Sequence, residues 1–205
     1  NNVIDNDPET LTSSMSDIND ISSALAEKYS ALEVSRTGTT FEFLFGYPQT
    51  YENDAIRAVA MGLAINEDIS HLSEEQSGID SNRLSALAGI HSESVIIDID
   101  EKSPTGISVV GSVSQTAKWI QSLAKPGQVL VDNGTYQLLR NSVTCEQIGS
   151  HTNPLDKHSL NLYQATGLKQ YEIGLETYDE LERVFLGRDT EIALIMDRWE
   201  RAEDG

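Results

Sequence analysis

The chain alternates long segments of helical periodicity with short runs of β-branched and other apolar residues, and this alternation restricts its fold more than any other feature. The first helix is predicted to start at Asp7-Pro8-Glu9, where a side-chain acceptor precedes proline and an acid. Apolar residues then recur at spacings of three and four, which predicts one long amphipathic helix. They are Leu11, Met15, Ile18, Ile21, Leu25, Tyr29 and Leu32.

The rest of the chain up to Leu168 is predicted to supply strands and three further helices. Ser92-Glu93 is expected to form a tight turn between two buried strands, and His71 to Asn82 a polar loop. Helices packed on a mixed, partly antiparallel sheet give an α+β fold. The expected strands are Phe41 to Phe45, Leu84 to His91, Ser94 to Asp100, Gly106 to Gly111, Val129 to Val131, Cys145 to Ile148 and Leu160 to Ala165, and the expected helices are about Asn53 to Ile69, Val113 to Ala124 and Asn133 to Leu139.

The balance of charge excludes one broad class of function. The 205 residues include 14 Lys and Arg against 33 Asp and Glu, a formal net charge of −19. Such a surface repels nucleic-acid phosphates and no basic stripe offsets it, so we expect no DNA or RNA partner. No apolar run approaches the roughly 18 residues that a membrane helix needs, so we expect no membrane partner either.

Several motifs resemble bacterial class III adenylate/guanylate cyclase domains, which read FGYPQAHEDDAERAVRAGLAI in one region. The similarity extends over roughly residues 5 to 168 and needs no gap from Asp7 to Pro48. The residues that carry it are Phe45-Gly46-Tyr47-Pro48-Gln49, Glu52-Asn53-Asp54-Ala55-Ile56-Arg57-Ala58-Val59, Gly62-Leu63-Ala64-Ile65, Gly89-Ile90-His91, Val109-Val110-Gly111 and Gln121-Ser122-Leu123-Ala124-Lys125-Pro126-Gly127.

This resemblance implies a ferredoxin-like class III nucleotidyl cyclase fold, head-to-tail pairing of two such domains, and a cytoplasmic bacterial protein. In the family, two aspartates hold two divalent metal ions that activate the ribose 3′-hydroxyl and neutralise the triphosphate. A lysine and a second polar residue recognise the base. An asparagine–arginine pair stabilises the transition state, and a further lysine binds phosphate.

The metal and transition-state roles fall on unsuitable residues. The second metal aspartate corresponds to Thr39, whose neutral hydroxyl does not replace a carboxylate on a hard cation. The first lies on a strand upstream of Asp7, and either that strand was lost or the sequence given omits it. The asparagine aligns with Gln115 and the arginine with Trp119, whose indole offers no charge to a developing anion.

The nucleotide-binding roles are weakened as well. The base-reading lysine corresponds to Ser85, and the second base-reading position is Ser108, which retains a hydroxyl. The phosphate lysine aligns near Pro154. Lys157 lies close to that position, although its register does not match.

These losses favour a catalytically degenerate cyclase homology domain that acts as a dimerising regulatory module, paired with itself or with another cyclase domain. Two alternatives remain open. The chain is an active or half-site adenylate/guanylate cyclase that works with a partner domain, or a nucleotide-binding sensor without turnover. No cofactor is expected under the first hypothesis, and Mg²⁺ or Mn²⁺ is expected only if the chain is a cyclase.

The sequence predicts a cyclase homology domain over residues 1–168, an acidic linker over 169–184, and the truncated start of a following module over 185–205. The last of these resembles the entry to an ATPase-like module. The histidines show no metal-ligand spacing, and Asp98, Asp100 and Glu101 are interpreted as a solvated loop tip. Ser92-Glu93-Ser94 has no evident His–Asp partner pairing, so nucleophilic catalysis is not predicted there.

Overall fold

Four helices and eight strands lie within residues 8–76, 84–100, 105–139, 142–154 and 157–169, the parts of the chain that this computed structural model describes. In chain order they are α1 (Pro8–Lys28), β1 (Leu32–Thr37), β2 (Thr40–Leu44), α2 (Asp54–Gln76), β3 (Ala88–Ile90), β4 (Ile96–Ile99), β5 (Ile107–Val110), α3 (Val113–Leu123), β6 (Val129–Asp132), α4 (Asn133–Leu138), β7 (Val143–Thr152) and β8 (Ser159–Leu168). The α+β class is confirmed.

The main sheet has four strands in the order β3-β6-β8-β7. β3 and β6 are parallel, whereas β8 runs antiparallel to both β6 and β7, so the sheet is mixed, as predicted. Two separate hairpins, β1-β2 and β4-β5, complete the strand pairing of the described residues.

The core is built around β6, all four residues of which are buried. Val129 and Val131 pack in one cluster with Val59 of α2, while Leu130 packs in another with Ile120 of α3. Because successive residues of a strand point to opposite faces, α2 and α3 cover opposite faces of this strand. A strand covered on both sides needs an uninterrupted apolar run, and Val129-Leu130-Val131 provides it.

The predicted first helix is too long, and its last turn is replaced by a strand. α1 ends at Lys28, Ser30 adopts a left-handed conformation with φ of 51°, and the Ala31 N–H donates to Ala26 O at 2.8 Å. This arrangement is a common way to terminate a helix. Leu32 therefore starts β1, which the sequence analysis missed because its apolar spacing also fits the preceding helix.

Three further predictions, all between His71 and Asp100, differ from the structure. α2 continues to Gln76, so the segment from His71 to Gln76, predicted to be loop, is helical. The prediction that β3 and β4 form a hairpin through a turn at Ser92-Glu93 is wrong, because β3 pairs with β6 and β4 pairs with β5. The segment Ser94 to Asp100 is also not a buried strand, since Ile96 and Ile99 of β4 are 70% and 82% exposed.

The chain divides into two units between Lys169 and Gln170, and every described residue belongs to the first. The predicted linker over 169–184 and ATPase-like segment over 185–205 lie outside the described residues, apart from Lys169. Within the described part of the chain, no helix combines the length and apolar character required to cross a membrane.

Candidate functional site

A groove runs between β2 and β3, with α2 and α3 on its two sides. It consists of adjoining cavities of about 380 and 710 Å³ that share several lining residues, including Glu42, Phe43, Gly89 and Ala117. Gly89 allows α3 to lie directly on β3, because a Cβ there would be only 2.2 Å from the backbone nitrogen of Gln121. We call this feature the inter-strand groove.

Two of the predicted site residues lie at this groove. Thr39 occupies the exposed turn between β1 and β2, and Ser85 lies in the segment that leads into β3; both line the 380 Å³ cavity. The structure thus places the metal position and the base-reading position of the resemblance around one cavity.

Gln115 and Trp119 lie on a different side of α3 from the groove. The residues of this helix that line the groove follow helical spacing and are Val113, Ser114, Ala117, Lys118 and Gln121. Gln115 is exposed. Trp119 is half-buried and packs against the cluster of Ile120, Leu130 and Leu162.

The remaining predicted residues are separate from this groove. Ser108 lies in β5 opposite Asp98 of β4 and lines neither cavity. Lys157 lies between β7 and β8 with a left-handed φ of 63°, and its backbone N–H donates to Asn153 O at 2.9 Å. Its side chain is exposed. The six predicted positions therefore do not converge on one site within a single chain.

The donor groups around Thr39 do not fit the divalent cations that the resemblance implies. Thr39 offers a neutral hydroxyl, and the nearby Glu42 carboxylate is already paired with Lys118 Nζ at 2.9 Å. Among the residues that the structure describes, no three His, Cys, Asp or Glu side chains are grouped so that they could hold a metal ion. Hard divalent cations bind chiefly through carboxylate oxygens, which this arrangement does not supply.

A polar cluster around His91 was missed by the sequence analysis. His91 Nδ1 lies 3.2 Å from Asp132 Oδ2, close enough for an ion pair although not aligned as a hydrogen bond, and Nε2 lies 3.6 Å from Glu93. Asp132 also accepts hydrogen bonds from the backbone of Gly134 and Thr135 and from the Thr135 hydroxyl. The expectation that no His–Asp pair accompanies this segment is therefore wrong.

The parallel register of β3 and β6 produces this cluster. Ile90 is paired with Val131, so the next residues, His91 and Asp132, leave adjacent strands at the same edge. Asp132 then serves as the N-cap of α4, accepting hydrogen bonds from N–H groups at 3.1 and 3.2 Å. The role of Asp132 as a helix cap can be recognised from the sequence alone. Its contact with His91 cannot, because that contact depends on a strand pairing that the sequence did not predict.

The cluster changes the acid–base properties of both partners. Burial alone lowers the pKa of the His91 imidazole, but Asp132 and Glu93 outweigh burial, so the net pKa lies above the ordinary value of 6.5. Burial alone raises the pKa of Asp132, but His91 and Thr135 outweigh it, so the net pKa lies below 3.8. Both changes favour a charged pair.

Comparison with known proteins agrees with this fold. The adenylyl cyclase CyaB from P. aeruginosa superimposes with a TM-score of 0.74 at 22% identity, covering 83% of this chain and 88% of that chain. The guanylate cyclase domain of RhGC from Catenaria anguillulae, solved with GTP, gives 0.68 at 17% identity, covering 82% and 89%. A dimeric guanylyl cyclase domain of the RhoGC fusion protein from Blastocladiella emersonii gives 0.63 at 18% identity, covering 77% and 85%.

These structural similarities establish the fold. Membership of a family follows from the sequence itself, since the pattern described as "Adenylate and Guanylate cyclase catalytic domain" matches residues 2–167. That match spans most of the 205-residue chain. The chain therefore belongs to the adenylate and guanylate cyclase catalytic domain family.

Proposed function

We propose that this chain is a catalytically degenerate cyclase homology domain that dimerises and serves a regulatory role. The observation that carries the proposal is the packing of Trp119. At the position where the resemblance expects a transition-state arginine, an indole packs against Ile120, Leu130 and Leu162. A side chain committed to a hydrophobic cluster supplies no positive charge, and losing one transition-state partner costs a hundredfold or more in rate.

The metal side supports the same proposal. Thr39 replaces the carboxylate expected in the β1–β2 turn, and the neighbouring Glu42 is paired with Lys118. Restoring the arginine alone would therefore leave metal binding deficient. The metal position and the transition-state position have each lost the expected residue. One tolerated substitution in an otherwise active cyclase therefore does not account for both changes.

Dimerisation is supported by exposed apolar side chains on the β4-β5 hairpin, with Ile96 and Val110 on one face and Ile99 on the other. Ile96, Ile99 and Val110 are 70%, 82% and 50% exposed. β-branched side chains concentrated on one exposed hairpin are typical of an interaction surface. A relative's domain, that of the RhoGC fusion protein, has been solved in dimeric and in monomeric form, so association in this fold is variable.

The test combines two measurements on the purified 205-residue chain. Cyclic nucleotide production from ATP and from GTP with Mn²⁺ is assayed beside an active cyclase, and light scattering gives the mass. We expect no product and a mass about twice the 22.5 kDa of the chain. A monomer at high concentration that binds no partner or nucleotide would contradict the regulatory proposal.

A restored variant separates degeneracy from lack of a partner. Thr39→Asp combined with Trp119→Arg is compared with the unmodified chain, each alone and mixed with an intact cyclase domain. Product from the unmodified chain that Gln115→Ala abolishes would establish the enzymatic alternative. Nucleotide binding without product, measured by calorimetry, would establish the sensor alternative.

A further inference from the structure

The β4-β5 hairpin is separate from the main sheet. Its two strands pair with each other and with no other strand in the described ranges, and neither packs extensively against a helix there. A hairpin of two strands is at best marginally stable by itself in water, so its order depends on how it is attached to the domain. We call residues 96–99 and 107–110 the arm, and residues 91–95, which join it to β3, the root.

Two side-chain contacts fix the root next to β3. The Ser92 hydroxyl lies 3.0 Å from the Thr135 hydroxyl of α4. Glu93 Oε2 lies 3.6 Å from His91 Nε2. The first contact joins neutral groups and does not change with pH, whereas the second is attractive only while the imidazole carries a proton on Nε2. The root therefore has one attachment that depends on the charge of His91.

The other nitrogen of His91 determines where the last proton stays. Nδ1 is buried and lies 3.2 Å from Asp132 Oδ2, and the Asp132 side chain is 5% exposed against 48% for Glu93. Because water screens the shorter and less exposed interaction less, a neutral imidazole keeps its proton on Nδ1. Nε2 then presents a lone pair to the Glu93 carboxylate, and two acceptors repel each other. Loss of one proton thus changes the contact with the root from attractive to repulsive.

Other titratable groups adjoin His91 on two sides. α4 contributes the Tyr136 phenol, and the cavity of about 710 Å³ beside His91 is lined by three acids besides Glu93 and by two tyrosines. Burial lowers the pKa of His91, but Asp132 and Glu93 outweigh burial, so the net pKa lies above 6.5. The cavity groups are Glu42 and Asp54, which are both in ion pairs, together with Glu52, Tyr47 and Tyr51.

We propose that protonation of His91 holds the β4-β5 arm on the domain through Glu93, and that deprotonation releases it. The arm carries Ile96, Ile99 and Val110, all of which are exposed, so its order determines how these side chains are presented to a partner. That consequence rests on the proposed dimerisation, whereas the change in the arm itself occurs within a single chain.

The test measures amide hydrogen exchange on the full 205-residue chain between about pH 5.5 and 8.5. Protection is expressed relative to the exchange rate of an unstructured peptide at the same pH, which removes the intrinsic pH dependence of exchange. We expect protection of the arm to fall about two- to fivefold as the pH rises, the effect of one partly exposed ion pair. Proton NMR of His91 should show the imidazole titrating over the same pH interval.

Chain concentration separates this effect from dimerisation. Exchange is measured at two concentrations that differ about tenfold, with the mass recorded by light scattering in each. Association depends on concentration, whereas a change within one chain does not. The fall in arm protection should therefore be the same at both concentrations, whether or not a dimer forms.

Two variants that each remove one negative charge locate the effect. Glu93→Gln places a neutral amide beside His91 Nε2, and the amide can accept from or donate to that nitrogen, so arm protection should no longer change with pH. Asp98→Asn removes an exposed carboxylate within the arm, where the amide oxygen can still accept the Ile99 N–H, and should retain the full dependence on pH. Circular dichroism establishes that both variants are folded.

Three results would overturn the proposal. They are arm protection that does not change with pH, the same change in Glu93→Gln as in the unmodified chain, and loss of the change in Asp98→Asn. A His91 imidazole that does not titrate in this range would also overturn it, because the attachment would then keep one charge state throughout.

Discussion

Replacing Asp132 by alanine should destabilise the fold more than any other polar substitution in the His91 cluster. The carboxylate is 4% exposed and accepts hydrogen bonds from Thr135 N at 3.1 Å, Gly134 N at 3.2 Å and Thr135 Oγ1 at 2.6 Å. Loss of a helix cap costs about 1 kcal/mol. The Thr135 hydroxyl keeps Ser92 Oγ as a partner at 3.0 Å, but leaving the buried Thr135 N–H unsatisfied adds about 2 kcal/mol, for a total of about 3 kcal/mol in unfolding free energy.

The Asp132→Asn variant separates the cap from the charge. Asparagine caps a helix about as well as aspartate, so this variant should retain the hydrogen bonds to α4. It loses the ionic interaction with His91, and the expected cost is about 1 kcal/mol. For a domain of this size, the alanine variant should melt roughly 6–12 °C below the unmodified protein and the asparagine variant only about 2–4 °C below it.

The pH dependence gives an independent check on the same pair. Because the pKa of His91 is raised on folding, its stabilisation is complete below pH 6.5 and is lost as the pH rises through the folded pKa. Because the pKa of Asp132 is lowered, its contribution is present above pH 3.8 and is lost as the pH falls through the folded value. Asp132→Asn should flatten the change above pH 6.5.

Urea unfolding followed by circular dichroism, repeated between pH 4 and 9, measures the loss of unfolding free energy in each of the two variants and its dependence on pH. Equal losses in the alanine and asparagine variants would show that the cap contributes nothing beyond the charge. A loss below about 1 kcal/mol in Asp132→Ala, or an unchanged pH profile in Asp132→Asn, would refute the cluster as a source of stability.

Three further predictions concern other parts of the fold. Gly89→Ala should lower the unfolding free energy by about 3 kcal/mol, because its Cβ would meet the α3 backbone, whereas Gly167→Ala, with no atom within 4 Å, should change it by less than about 0.5 kcal/mol in urea titrations. Burial raises the pKa of the Cys145 thiol, partly opposed by Lys169, so iodoacetamide should react several-fold more slowly with folded than with urea-unfolded protein; equal rates would contradict this. Ile99→Asp should leave stability within about 0.5 kcal/mol, because Ile99 is 82% exposed, yet should shift the light-scattering mass toward the monomer; an unchanged dimer would remove this hairpin from the interface.

The sequence alone determined those elements whose signal is local. α3 and α4 were predicted within one residue at each end, and β6 was found from its continuous apolar run. The family was identified from contiguous motifs such as Phe45 to Gln49, and the matching pattern over residues 2–167 agrees. Each of these signals depends on neighbouring residues, so no knowledge of the folded chain was required.

The tertiary structure decided which strands pair and what that pairing brings together. β3 joins β6 across some forty residues of sequence, and this pairing places His91 beside Asp132. Nothing in the sequence around Gly89 indicates that α3 packs directly against this residue. Strand partners are selected by long-range packing that local periodicity does not encode, so these features required the folded chain.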